Sequence, residues 1–130
     1  MDPWTMQAMK EELRTILSES GLGVRYSSCG EGIRLTLQTA PPNGSDGALG
    51  AARRAGKAIL PEMTVYAAPV RRLIGTGLPV YLGKAMARVA VHEIGHYLRQ
   101  SGDHSGEGPM TEYFAGPKLL AARSRDFQIR

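Results

Sequence analysis

The sequence predicts an α+β domain: a small twisted mixed β-sheet with an N-terminal helix and a long second helix. Three observations predict it. Met6, Met9, Leu13, Ile16 and Leu17 recur at helical spacing near the start of the chain. Ile33, Leu35 and Leu37 alternate with Arg34, Thr36 and Gln38, the pattern of a half-buried strand. From Pro79 to about Gln100, Leu82, Met86, Val89, Ala90, Ile94 and Leu98 mark a second apolar helix face.

The elements follow in order. Residues 3–19 form the first helix, with Asp2 as cap, Pro3 at the first helical position and Gly21 as the stop. Residues 22–28 read as a short strand with Val24 and Tyr26 on one side, and Cys29 to Gly32 as a turn. The strand over 33–39 leads into a loop at 41–47, rich in proline, glycine and asparagine. Ala48 to Arg53 suits an exposed edge strand, because small residues and arginines blunt such an edge. Lys57 to Leu60 reads as another short strand, stopped by Pro61, and residues 66–74 as one or two helical turns. The long helix follows. Residues 102–116, with four glycines and one proline, read as an ordered loop, and 117–124 as a last short helix. There is no internal repeat and no domain boundary.

Composition narrows the function classes. At 130 residues, 42% apolar and 22% charged, the chain is a single globular domain rather than a disordered or low-complexity one. No apolar run reaches the ~18–20 residues of a membrane span, so no membrane association is expected. The start of the chain lacks the basic-then-apolar pattern of a signal peptide. A cytoplasmic location is therefore favoured, with secretion left open. One cysteine, Cys29, excludes an internal disulfide and a multi-cysteine zinc site. The net charge of +4 is too dispersed, and aromatic residues too few, for a nucleic-acid surface to be expected.

The three histidines all fall between His92 and His104. His92-Glu93-Ile94-Gly95-His96 is an H-E-x-x-H motif inside the long helix. Residues four apart share a helix face, so two imidazoles can converge on one zinc ion. Glu93 is turned too far round the helix to be a third partner of that kind, but it reaches water activated there and can act as general base. The same carboxylic acid can later protonate a leaving amine. A catalytic zinc site needs a third protein ligand and an open position. His104 is the expected third ligand, delivered by a turn through Gln100, Ser101 and Gly102, with Gly102 suited to a left-handed stop. Asp103 is the alternative ligand, with Glu107 and Glu112 as weaker competitors.

The run from His92 to Leu98 and from His104 to Met110 resembles the active-site region of the metzincin clan of zinc peptidases, and is most similar to short bacterial metzincin-like proteins. The resemblance implies that His92, His96 and His104 bind Zn2+ and that Glu93 is the base. It also implies that Met110 forms a methionine-containing turn beneath the metal, as a packing floor and not a ligand. A first helix, several strands and then a zinc helix are similar to the upper subdomain, here about residues 1–101, with a short C-terminal segment at 102–130. Ala48 to Arg53 would then border the cleft, where a peptide can add as a further strand. The chain departs from the clan at two points. Seven residues rather than five separate His96 from His104, and Arg99 stands where the clan has glycine. With 26 residues after His104, the specificity pocket is expected to be rudimentary or supplied by a second chain. Tyr113, three residues after Met110, is a weak match to a tyrosine found two after the methionine in some members.

The expected function is therefore hydrolysis of peptides or proteins by a zinc metallopeptidase. The alternative is an inactive zinc-binding or peptide-binding module with a decayed protease site. Cys29 reads as a small packing or turn residue, Tyr97 as amphipathic packing with cleft lining as the alternative, and the arginine pairs at 53–54 and 71–72 as solvated faces with binding of a substrate carboxylate as the alternative. Oligomeric state is not legible.

Overall fold

The computed structural model describes residues 2–27, 30–42, 48–103, 116–121 and 123–129. It is an α+β fold, as the periodicities predict. The order is α1 (Pro3–Glu19), β1 (Arg34–Gln38), β2 (Gly50–Ala55), β3 (Ala58–Tyr66), α2 (Ala67–Ile74), α3 (Pro79–Arg99), α4 (Gly116–Ala121) and a 3-10 turn over Ser124–Phe127.

α1 begins as its sequence dictates. Asp2 Oδ1 accepts the Thr5 backbone N–H at 2.9 Å, and Asp2 Oδ2 accepts the Thr5 hydroxyl at 2.7 Å. These bonds, the backbone one foremost, hold the Asp2 carboxyl below its usual range. At the other end Gly21 takes φ +82°, the left-handed region that glycine enters without penalty. The Leu22 N–H then reaches Leu17 O at 2.8 Å and the Gly21 N–H reaches Ser18 O at 3.0 Å, closing the helix. Met9, Leu13, Ile16 and Leu17 are buried against α3.

The sheet has the order β1-β3-β2, with β1 parallel and β2 antiparallel to the central β3. Met63 and Val65 of β3 and Val89, Ala90 and Ile94 of α3 share one core. β2 is one of the two edge strands, as its small and charged residues suggest, with β1 at the other edge.

Five local expectations need correction. Residues 22–27 form no strand, although Val24 and Tyr26 do both pack against the core. The Tyr26 hydroxyl bonds Lys10 O at 2.8 Å, which fastens this segment to α1 without a ladder. β3 does not stop at Pro61 but runs to Tyr66. Pro61 lacks a donor, and the sheet does not ask for one there. Pairing with β1 begins only at Glu62, and the β2 register is broken by an irregularity between Ala52 and Arg54. Leu98 is 45% exposed rather than part of the apolar face. The core beneath α3 ends at Ile94, one turn earlier. The left-handed stop of α3 is Gln100, at φ 49° and ψ 43°, and not Gly102. Near the end of the chain, the expected helix over 117–124 is divided into α4 and the 3-10 turn.

Candidate metal centre

α3 carries the site on its last three turns. His92 is half-buried, and Glu93 and His96 are each only 7% exposed. The i, i+4 spacing does what it predicts. The two Nε2 atoms stand 3.1 Å apart, with the rings 4.6 Å between centroids and nearly perpendicular at 89°. Two nitrogens at about 2.05 Å from a tetrahedral zinc ion are about 3.3 Å apart, so the pair is already at ligating separation. One ligand atom from each of His92, Glu93 and His96 lies within 4.8 Å of the others.

The orientation of His96 is set by the turn that ends α3. His96 Nδ1 lies 2.7 Å from Ser101 O. A carbonyl oxygen only accepts, so Nδ1 carries the proton and the neutral ring presents a lone pair at Nε2. This is the tautomer a metal needs, and a carbonyl partner of this kind typically fixes a ligating histidine. Gln100 makes the arrangement possible. Its left-handed backbone turns the chain back, so that the Ser101 N–H reaches His96 O at 3.2 Å. Its side chain offsets the strain by pairing with β3. Gln100 Oε1 accepts the Ile59 N–H at 3.0 Å, and Nε2 donates to Ile59 O at 2.9 Å and to Tyr97 O at 2.8 Å. Sequence reasoning missed Gln100, because glutamine carries no signal for a left-handed cap.

Glu93 is placed by β2. The Cγ of Glu93 packs over Gly50, where an added Cβ would lie 2.9 Å from both Thr64 O and Val89 Cγ1 and 3.4 Å from Glu93 Cγ. Glycine thus lets the edge strand close down on the helix. Glu93 Oε2 is buried and has no hydrogen-bond partner among the described residues. Burial pushes the carboxyl up from 4.5 to about 7, against the pull of the Arg54 guanidinium. An orphaned buried carboxylate beside two converging imidazoles fits a cationic group, since an unpartnered buried charge is otherwise costly. The donor set, two imidazoles and a carboxylate, suits zinc.

The other expected site residues divide by location. Asp103 is exposed in the turn after α3, with its N–H on Ser101 Oγ at 3.0 Å, and is not one of the converging group. His104, Glu107, Met110, Glu112, Tyr113 and Cys29 lie outside the described residues. The concavity of about 820 Å³ bordered by Arg25, Ile33, Leu60 and Glu62 lies at the end of the sheet and includes none of the site residues. No family model matches this chain, and comparison with curated proteins and with solved structures likewise finds no match.

Proposed function

We propose that the chain is a minimal metzincin-like zinc peptidase that cleaves peptides or proteins. The observation that carries this reading is the pair of Nε2 atoms at ligating distance beside the buried Glu93 Oε2, which has no hydrogen-bond partner among the described residues. His92 and His96 would hold the metal through Nε2, with His104 as the expected third ligand and Asp103 as the alternative. Zinc, when bound, supplies Lewis acidity and brings the pKa of water at the site towards neutrality. Glu93 takes a proton from the attacking water at its carboxylate and returns it to the nitrogen of the departing amine. The new bond joins the water oxygen to the carbonyl carbon, and the carbon–nitrogen bond breaks. His96 is kept in its ligating tautomer by Ser101 O throughout. The open edge of β2, beside Glu93, is where the peptide would lie.

The test pairs metal analysis with one substitution. Protein purified without chelators should contain close to one zinc per chain and cleave members of a peptide library. Glu93→Gln should keep the zinc and lose about 10²–10⁴-fold in kcat, the usual worth of a general base. Protein that takes up no metal even from added zinc, or a Glu93→Gln variant with full activity, would overturn the proposal.

A further inference from the structure

Arg54 is a cation at the site that the zinc chemistry does not use. It lies on β2, just past the irregularity between Ala52 and Arg54 that interrupts the alternation of that strand. Its guanidinium rests over Gly102, in the turn that follows α3. An added Cβ at residue 102 would stand 2.6 Å from Arg54 Nη2. Gly102 does not adopt a positive φ. What glycine provides there is room for the guanidinium, not backbone freedom. The neighbouring Arg53 is engaged with Glu62 at 3.4 Å, whereas Arg54 forms no ion pair among the described residues. Ser101, the neighbour of Gly102, holds the His96 ring through its carbonyl at 2.7 Å, so Arg54 stands at the rim of the same site.

We infer that Arg54 selects acidic substrates: peptides that place an Asp or Glu side chain, or a free terminal carboxylate, against the β2 end of the cleft. A guanidinium presents a planar fork of donors that matches a carboxylate in two parallel hydrogen bonds. The net charge of +4 draws acidic peptides towards the molecule before that contact forms. The inference rests on the peptidase reading for the identity of the ligand as a peptide.

Binding, rather than turnover, separates the two ideas. The zinc-loaded Glu93→Gln protein is titrated with labelled octapeptides, blocked at both ends, in which a single Glu or a single Gln occupies each position in turn. At one position Glu should bind at least about fivefold tighter than Gln at low salt, the scale of a charge-assisted contact at a partly exposed site. Adding Arg54→Ala should erase that difference. Arg54→Glu should reverse it, so that Gln binds tighter than Glu at that position, and Arg54→Lys should keep part of it. The inference is overturned if no position favours Glu, or if the preference survives Arg54→Ala. A protein that shows the Arg54-dependent preference but cleaves nothing keeps this inference and loses the peptidase reading. Cleavage without any charge preference does the opposite. A uniform fall in kcat for every peptide in Arg54→Ala, with binding unchanged, would make Arg54 part of the reaction rather than of selection, and would also overturn it.

Discussion

At the scale of single residues, Glu93 has consequences for stability that do not depend on its proposed role in catalysis. Its carboxyl has an ordinary pKa of 4.5 when exposed and about 7 in the folded, metal-free chain, chiefly through burial. A raised carboxyl pKa means that the folded state holds a proton the unfolded state has released. The stabilisation is complete below about pH 4.5 and is lost as the pH rises through about 7. The difference corresponds to about 3 kcal/mol of folding free energy. Metal-free wild type should therefore melt progressively lower between pH 5 and pH 8 than Glu93→Gln, whose neutral amide has no proton to lose. Chelator-treated melts of both proteins across that range measure it. Parallel profiles would mean that Glu93 is solvated rather than buried.

At the scale of elements, the turn after α3 links helix, sheet and the candidate ligand His96 in one device. Gln100 caps the helix in a conformation that costs a non-glycine residue about 1–2 kcal/mol, and its amide recovers this through three hydrogen bonds, two of them to Ile59 of β3. Gln100→Ala keeps the backbone cost and loses the bonds, so it should destabilise by about 2–3 kcal/mol. It should also weaken zinc binding about 10–100-fold, because Ser101 O no longer holds the His96 ring. Gln100→Gly loses the same bonds but removes the strain, and should be about 1 kcal/mol more stable than the alanine variant. Urea unfolding and competition with a zinc indicator read both effects, and equal stability of the two variants would sink the strain argument. This turn also marks where sequence reading stops. α1, β1 and the H-E-x-x-H face of α3 are legible because each follows from a local period of 3.6 or 2, and Asp2 because capping is local. The passage of β3 through Pro61 is not legible. It depends on where β1 starts and where β2 slips, and both are facts about partners far along the chain. The Gln100 cap is hidden for the same reason, since its compensation comes from Ile59, forty-one residues earlier. Half of the candidate site could be read directly, namely His92, Glu93 and His96. The supporting half, Gln100, Ser101, Gly50 and Arg54, is made by tertiary contact.

At the scale of the whole molecule, one buried arginine ties the end of the chain to its beginning. Arg88, on the α3 face turned towards α1, is fully buried. Its Nε donates to Glu12 Oε2 at 2.9 Å and its Nη1 to Leu119 O at 2.8 Å, while the guanidinium lies 4.6 Å over the Phe127 ring. Glu12 also accepts the Ser124 hydroxyl at 2.8 Å, and the Ile129 N–H bonds Ser20 Oγ at 2.8 Å. α4 and the 3-10 turn are thus strapped across α1 and α3 by polar contacts around one ion pair. Residues 104–115 join α3 to α4, so this strap anchors the far end of the segment that carries His104. Removing one member of a buried pair leaves the other charge uncompensated and typically costs about 3–5 kcal/mol. Arg88→Met should lower stability by that amount. Limited proteolysis should then release the C-terminal segment before α3 is cut. If His104 is the third ligand, zinc occupancy should fall in parallel. Adding Glu12→Met removes the stranded carboxylate and should return part of the loss, because the two positions are coupled through the pair rather than additive. An Arg88→Met protein within about 0.5 kcal/mol of wild type, the usual range for a surface substitution, would show that apolar packing of Leu119 and Phe127 holds the strap without the ion pair.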